Sequence, residues 1–181
     1  MDEAGIIAAC MKGDRKAQKT LFENYSKGML LLCRRYVKDH RDAEDALLSG
    51  FHKFFSAIDR FKYKDEKSIG AWLKKIMINE CLLLLRKRKH ISFVGEEFAG
   101  EVGLNEDIIC RINAAAILQL INSVPDGYRI VFNMYVIEGY NHREIAEILE
   151  VSEGTSKSQL SKAKIFLQKM LLKEQLVYER E

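Results

Sequence analysis

Proline is nearly missing from this chain, with one residue, Pro125, among 181. Helices can therefore run long without a built-in stop. Strict apolar–polar alternation, the mark of a half-buried strand, is also scarce, which predicts an all-α protein. Long apolar runs are absent: stretches such as Met29 to Cys33 and Cys81 to Leu85 fall far below the roughly 20 residues that span a bilayer. The opening Met1-Asp2-Glu3 is acidic and leads into no long apolar core, so neither a signal peptide nor membrane insertion is expected and the expected compartment is the cytoplasm. Cysteine is confined to Cys10, Cys33, Cys81 and Cys110. No two form a CxxC clip, and each sits in an apolar-periodic segment, which predicts buried thiols rather than disulfides or zinc ligands.

Catalytic patterns are missing as well. His40, His52, His90 and His142 are scattered, with no HExxH spacing, and there is no GxGxxG, Walker-type phosphate loop or GxSxG. Asp42, Glu44 and Asp45 stand together, but acids at a helix start are ordinarily partners of the helix dipole. No enzyme, metal site or cofactor is expected. What remains is 48% hydrophobic and 30% charged residues with a net charge of +3, enough apolar content for packed cores. The charge is too mild to imply nucleic acid by itself, so its distribution matters more.

The most informative stretch runs from Asn141 to Lys164. Asn141 can cap a short helix, with Glu144 three residues on completing a capping-box pattern. Ile145, Ile148 and Leu149 share one face, and Ala146 allows close approach. Glu150-Val151 turns the chain and Ser152 caps a second helix. This is a helix-turn-helix pattern, whose second helix normally enters the DNA major groove. Along that helix Ser156, Leu160, Ala163 and Leu167 form the inward stripe. Thr155, Ser158, Ser161 and Lys162 point outward, with Lys157 and Lys164 on the flanks. Short hydroxyls and lysines suit base edges and phosphates; the plainer reading is a solvated face on a helical hairpin.

Upstream, a short helix over Ala4–Lys12 is followed by a Gly13-Asp14 break. Asp14 can cap a long helix to about Val37, striped by Leu21, Phe22, Tyr25, Met29, Leu32 and Tyr36. Asp39 or Asp42 caps the next, from about Arg41 to Ile58. A polar loop, Asp59 to Lys67, precedes a helix capped by Ser68 and running from about Ile69 to Lys89. Between Arg60 and Lys89 lie ten Lys/Arg against three acidic residues, with Phe61, Tyr63 and Trp72 interleaved. Rings beside cations give unstacked bases a π-face and their backbone a positive groove. Trp72 reads equally well as a core residue.

From Ile91 to Ile109 the periodicity lapses into three glycines and five acidic residues with no Lys or Arg, an acidic linker. Its roughly 18 residues could extend about 60 Å. Beyond it, helices are predicted over Ile108–Ile121 and from Pro125 to about Ile137, with Gly139 a left-handed stop.

The order of these parts resembles the extracytoplasmic-function (ECF) sigma factors of bacterial RNA polymerase, sigma-70 family, in the form common in Bacteroidetes. The resemblance covers nearly the whole chain. It rests on Leu21-Phe22-Glu23-Asn24-Tyr25, Asp42-Ala43-Glu44-Asp45, Asp59-Arg60-Phe61, Ala71-Trp72-Leu73 with Asn79, Val124 to Phe132, and above all Tyr140 to Ala146 through Ser152 to Leu160. It implies two small helical domains: a region 2-like domain over 1–90 and a region 4-like helix-turn-helix domain over 108–181, joined by the acidic linker 91–107. The first would hold the polymerase clamp and capture the melted −10 element, the second would read the duplex −35 element, and the linker would thread the polymerase interior.

Carried over by position, Phe61, Trp72 and Asn79 would hold an extruded base and its neighbours. Lys74, Lys75, Arg86, Lys87 and Arg88 would meet phosphates, and Asp42, Glu44, Asp45, Leu48, Ser49 and His52 would face the largest polymerase subunits. Thr155, Lys157, Ser158, Ser161, Lys162 and Lys164 would form the −35 face. The implied partners are core RNA polymerase, promoter DNA and an anti-sigma factor. The chain departs from the family pattern at Leu48-Ser49, where a Gln-Glu pair is usual. It departs again at Gln159, often arginine in relatives and expected to alter a phosphate or base contact, and at Ser156, often a branched apolar residue and expected to loosen the helix seat. A regulator that binds DNA without polymerase, or a helical interaction module with a solvated basic face, are the other classes this pattern admits.

Overall fold

The computed structural model describes residues 3–61, 66–88 and 114–178. It divides into two compact units, Met1–Arg88 and Lys89–Glu181. No strand occurs among the described residues. The acidic linker, Tyr63, Cys110 and the start of the helix expected from Ile108 lie outside them.

In the first unit, α1 (Glu3–Met11) packs on α2 (Arg15–Tyr36), and α2, α3 (His40–Ser56) and α4 (Glu66–Lys87) pack on one another. Caps set the boundaries. The Asp14 carboxylate accepts from the amides of Lys16 and Ala17, and Asp39, not Asp42, accepts from Asp42 N at 3.0 Å. The predicted stripes of α2 and α3 face inward, with Leu21, Leu32 and Tyr36 and Ala43, Phe51 and Phe54 buried, whereas α4 buries Leu73 and Met77 and leaves Trp72 and Ile76 half-buried and Leu83 exposed. Helix α4 starts at Glu66, before the expected cap at Ser68. Glu and Lys are good helix formers, and their propensity carries the helix back past the serine. The Cys33 and Cys81 thiols meet in the core between α2 and α4, where hydrogen bonding and burial push Cys81 well above the usual thiol range. Cys10, Cys33 and Cys81 are free and buried.

The second unit contains α5 (Ala114–Ser123), α6 (Asp126–Phe132), α7 (His142–Leu149) and α8 (Glu153–Tyr178). Pro125 is the residue before α6 rather than its first, and the helix expected to reach Ile137 as one α-helix widens into a π turn over Asn133–Ile137. Val124, Tyr128 and Ala163 form a core, with Phe132, Phe166 and Leu167 packed against it. Arg129 is fully buried, and its guanidinium is held by the Asp126 carboxylate at 2.8 Å and the Val124 carbonyl at 2.9 Å. Such pairing is what makes a buried charge tolerable. Gly139 takes φ 80°, the left-handed conformation expected of it, between the π turn and α7.

Candidate nucleic-acid interface

Helices α7 and α8 form the helix-turn-helix. Asn141 and Glu144 exchange both bonds of a capping box, at 2.9 and 2.8 Å. Glu150 adopts φ 59°, ψ 44° to reverse the chain, and the Ser152 hydroxyl accepts from Thr155 N at 3.0 Å to start α8. Ser156, Leu160 and Ala163 are buried and Leu167 is half-buried, as the periodicity requires. Lys157, Ser158, Ser161 and Lys164 are exposed. Thr155 and Lys162 are half-buried, Thr155 with its hydroxyl 2.9 Å from Ser152 Oγ and Lys162 with its ammonium 6.0 Å from the Tyr128 ring centroid.

Two expectations about this helix are corrected. Gln159 is only 2% exposed, because it lies three residues from Ser156 and four from Ala163 on the inward stripe; it is not in a position to touch DNA. Ser156 does not leave a loosened seat either. Its hydroxyl lies 2.9 Å from Nδ1 of His142, whose ring stacks on Tyr135 with centroids 4.4 Å apart and planes 23° apart. His142 thus joins the start of α7, the π turn and α8. Burial lowers its imidazole below the ordinary value, helped by Lys157 and Lys164 and opposed by Glu153.

In the first unit, Phe61 lies flat on Trp72, with centroids 4.9 Å apart and planes 8° apart, and Phe54 leans on Trp72 at 4.8 Å. Trp72 is therefore half-buried, with one face against Phe61 and its ring anchored to α3 by Phe54. Asn79 is exposed two turns further along α4, about 10 Å away along the helix axis. Lys74, Lys75, Arg86 and Lys87 are exposed. At about 100° per residue, Lys75, Arg86 and Lys87 lie within about 60° of the Trp72 direction, and Lys74 and Arg88 fall on the far side. The structure does not bring all the predicted α4 cations to one face.

Arg88 shows why. Its guanidinium forks onto both oxygens of Asp42, tying the end of α4 to the start of α3. Asp42, expected among the partner-facing acids, is buried and spent on this ion pair. The rest of that group is exposed along α3: Glu44, Asp45, Leu48, Ser49 and His52, with Leu48 at 57%. Beside them a groove of about 250 Å³ opens between α3 and α4, lined in part by Asp45, Ser49, Leu83 and Lys87. Lys53 crosses from α3 to Glu80 at 2.6 Å.

Sequence reasoning missed Gly50, where α3 passes so close to α4 that a Cβ would run into the Met77 sulfur; a glycine inside a good helix was the available signal. Among the described residues no cluster of ligating side chains could hold a metal ion, and no helix is long and apolar enough to cross a membrane.

Comparison with known proteins places this geometry. A family profile described as Sigma-70 region 2 matches residues 21–91, and one described as Sigma-70, region 4 matches residues 114–167. The chain is similar to the ECF RNA polymerase sigma factor SigW of Bacillus subtilis, 28% identical over 178 residues, covering 91% of this chain and 94% of the relative. It is 28% identical over 170 residues to the ECF sigma factor SigM of Mycobacterium tuberculosis, covering 93% and 84%. With the ECF sigma-E factor of Escherichia coli it shares 26% identity over 172 residues, covering 88% of each chain. In fold it is similar to CnrH, solved in complex with the cytosolic domain of CnrY, at a TM-score of 0.51 and 20% identity, covering 92% and 94%. With both regions matched in order, on a basic-aromatic helical unit followed by a helix-turn-helix, the chain belongs to the ECF group of the sigma-70 family.

Proposed function

We propose that this protein is an ECF-type sigma factor that directs core RNA polymerase to specific promoters and helps melt the −10 element. On this reading it is a non-catalytic specificity subunit of the cytoplasm, with core polymerase, promoter DNA and an anti-sigma factor as partners. The observation that carries it is the pairing of two devices on one chain: an aromatic platform among cations, suited to unstacked bases, and a helix-turn-helix whose second helix turns hydroxyls and lysines outward. A duplex-only regulator needs the second and has no use for the first.

The division of labour follows: residues 1–90 bind the clamp and the melted strand, 91–107 link, and 108–181 read the −35 element. Phe61, backed by Trp72, holds a base; Asn79 assists, and Lys75, Arg86 and Lys87 meet phosphates on the same side, with Lys74 contacting a more distant segment. Lys157, Ser158, Ser161 and Lys164 face the groove, with Thr155 and Lys162 at its edge. Glu44, Asp45, Leu48, Ser49 and His52 meet polymerase, where Leu48 substitutes an apolar contact for a polar one. The assignment to the form common in Bacteroidetes rests on the sequence motifs alone. The test is reconstitution with core polymerase: the chain should co-purify with the largest subunits and confer promoter-specific opening. Tight, specific duplex binding without polymerase, and no co-purification, would point to a stand-alone regulator instead.

A further inference from the structure

His142 occupies an unusual junction. It is the first residue of α7, it hydrogen-bonds to Ser156 on the buried side of α8, and its ring lies on Tyr135 of the π turn. The charges acting on it come from α8: Lys157 and Lys164 oppose its protonation and Glu153 favours it. Residues 153, 157 and 164 recur along one flank of the helix, four and seven residues apart, so His142 borders the cationic edge of the proposed DNA face rather than its centre.

We propose that His142 is the positioning residue of the recognition helix and that it takes up a proton when promoter phosphates settle on the Lys157–Lys164 flank. This rests on the reading of α8 as the −35 face. The argument is one of linkage. In the free protein partial burial, reinforced by the two ammonium groups, lowers the imidazole below its ordinary value, so that it binds a proton less readily. Phosphates against those ammonium groups cancel the repulsion and add attraction, so the imidazole in the complex binds a proton more readily than in the free protein. Either form can keep the Ser156 contact, since the hydroxyl both donates and accepts. The helix seat survives protonation while the edge gains a positive charge.

The sign follows directly. The bound state holds more protons than the free state, so DNA affinity rises as pH falls between the bound and free titration points, by at most about tenfold per pH unit for one proton. Glutamine at this position can still hydrogen-bond Ser156 but cannot titrate.

The experiment uses reconstituted holoenzyme and a promoter duplex carrying the upstream element, with binding measured at fixed ionic strength from about pH 5.5 to about pH 8, a span that brackets the ordinary histidine value. Whatever gap separates His142→Gln from wild type at the high end, it should widen several-fold toward the low end. Calorimetry of wild-type binding in buffers of different ionisation enthalpy should count a fraction of a proton taken up that the variant lacks. If His142→Gln misfolds, His142→Asn and the wild-type proton count still decide. Parallel pH profiles, or equal proton uptake, would overturn the proposal. So would an affinity loss that is the same at every pH, which would leave His142 a purely structural residue. If wild-type holoenzyme shows no salt-dependent affinity for the upstream element at any pH, the reading of α8 fails and this proposal with it.

Discussion

Phe61 covers one face of Trp72 with its ring nearly parallel, and Phe54 of α3 leans on the same indole. A base captured by this unit therefore has the outer face of Phe61 available first, and reaches Trp72 only if Phe61 moves aside. Base–aromatic stacking is worth about 1–3 kcal/mol per base, comparable to the few kcal/mol needed to unstack one. Phe61→Ala is expected to reduce open complexes roughly five- to hundredfold while leaving polymerase binding and upstream recognition intact. Asn79→Ala should act in the same direction, and a promoter with pre-melted mismatches should partly rescue both. Permanganate footprinting of thymines in the melted region reads the outcome. Normal opening by a folded double variant would return both residues to ordinary structural roles. Trp72→Ala is not a clean probe, because removing a ring packed on α3 also costs stability, approaching about 3 kcal/mol.

On α8, Lys157 is exposed and Lys162 sits over the Tyr128 ring. Removing a lysine that meets a phosphate should reduce the slope of log affinity against log salt by about 0.9. The Lys157→Ala, Lys162→Ala double variant of the holoenzyme is expected to show both a weaker upstream affinity and a shallower slope. If Ser158 reads a base, Ser158→Ala should cost about 1–3 kcal/mol at a single promoter position, visible as relaxed discrimination there and nowhere else. Unchanged promoter binding by the folded lysine variant would argue strongly against this face.

What the sequence made legible was whatever obeys a local rule. The caps Asp14, Asn141 and Ser152, the buried stripes of α2 and α3 and the left-handed Gly139 follow from spacing of three or four residues, and they stand where the spacing predicts. Pairings between helices carried no such signature. Arg88 with Asp42, Phe61 with Trp72, and His142 with Ser156 join residues up to 46 positions apart, and nothing in either partner's neighbourhood names the other. Gln159 and Asp42 were misjudged for the same reason: each is polar, and polarity predicts exposure unless the packing around it is known. The π turn escaped because Asn133–Ile137 reads as ordinary helix, and the extra residue per turn is imposed by tertiary packing.

Gln159 offers a direct check on that correction. The family resemblance leads one to expect a DNA contact at this position, but here the side chain is buried against the inside of the helix-turn-helix. Gln159→Arg should therefore gain no affinity for DNA. It should destabilise the protein by about 1–3 kcal/mol, the usual cost of overpacking, read as a lowered denaturation midpoint. A stable variant with stronger promoter binding would show that the side chain can swing outward.

At Gly50 the constraint is space. A methyl group there would strike the Met77 side chain, which is itself fully buried. Gly50→Ala is expected to destabilise the first unit by about 1–3 kcal/mol, despite alanine's better helix propensity of about 1 kcal/mol. Pairing it with a trimmed Met77 should recover part of the stability by relieving the clash, so the two substitutions should be strongly non-additive in urea denaturation. Additive effects would mean that α3 and α4 separate rather than collide.

Asp42 and Leu48 lie on the same helix, yet their surroundings are opposite. Asp42 is buried and its carboxylate is held by Arg88, whereas Leu48 is exposed. An ion pair with one half-exposed partner contributes at the upper end of surface pairs, about 1 kcal/mol. Asp42→Asn should lower the stability of the free protein by about that amount and leave polymerase affinity unchanged for the folded fraction, since the carboxylate points at α4 and not at a partner. Arg88→Ala should cost a similar amount, and the two effects should overlap rather than add, because both break the same ion pair. Leu48→Glu should do the reverse. An exposed leucine can be replaced with little effect on folding, within about 0.5 kcal/mol, but a charge at the centre of an apolar contact with the clamp should weaken holoenzyme assembly at least tenfold, about 1.4 kcal/mol or more. Measuring urea midpoints and core-polymerase affinity on the same preparations separates the two. If Asp42→Asn instead abolished polymerase binding with its stability intact, or Leu48→Glu assembled normally, the division of α3 into an anchoring first turn and a docking middle would have to be abandoned.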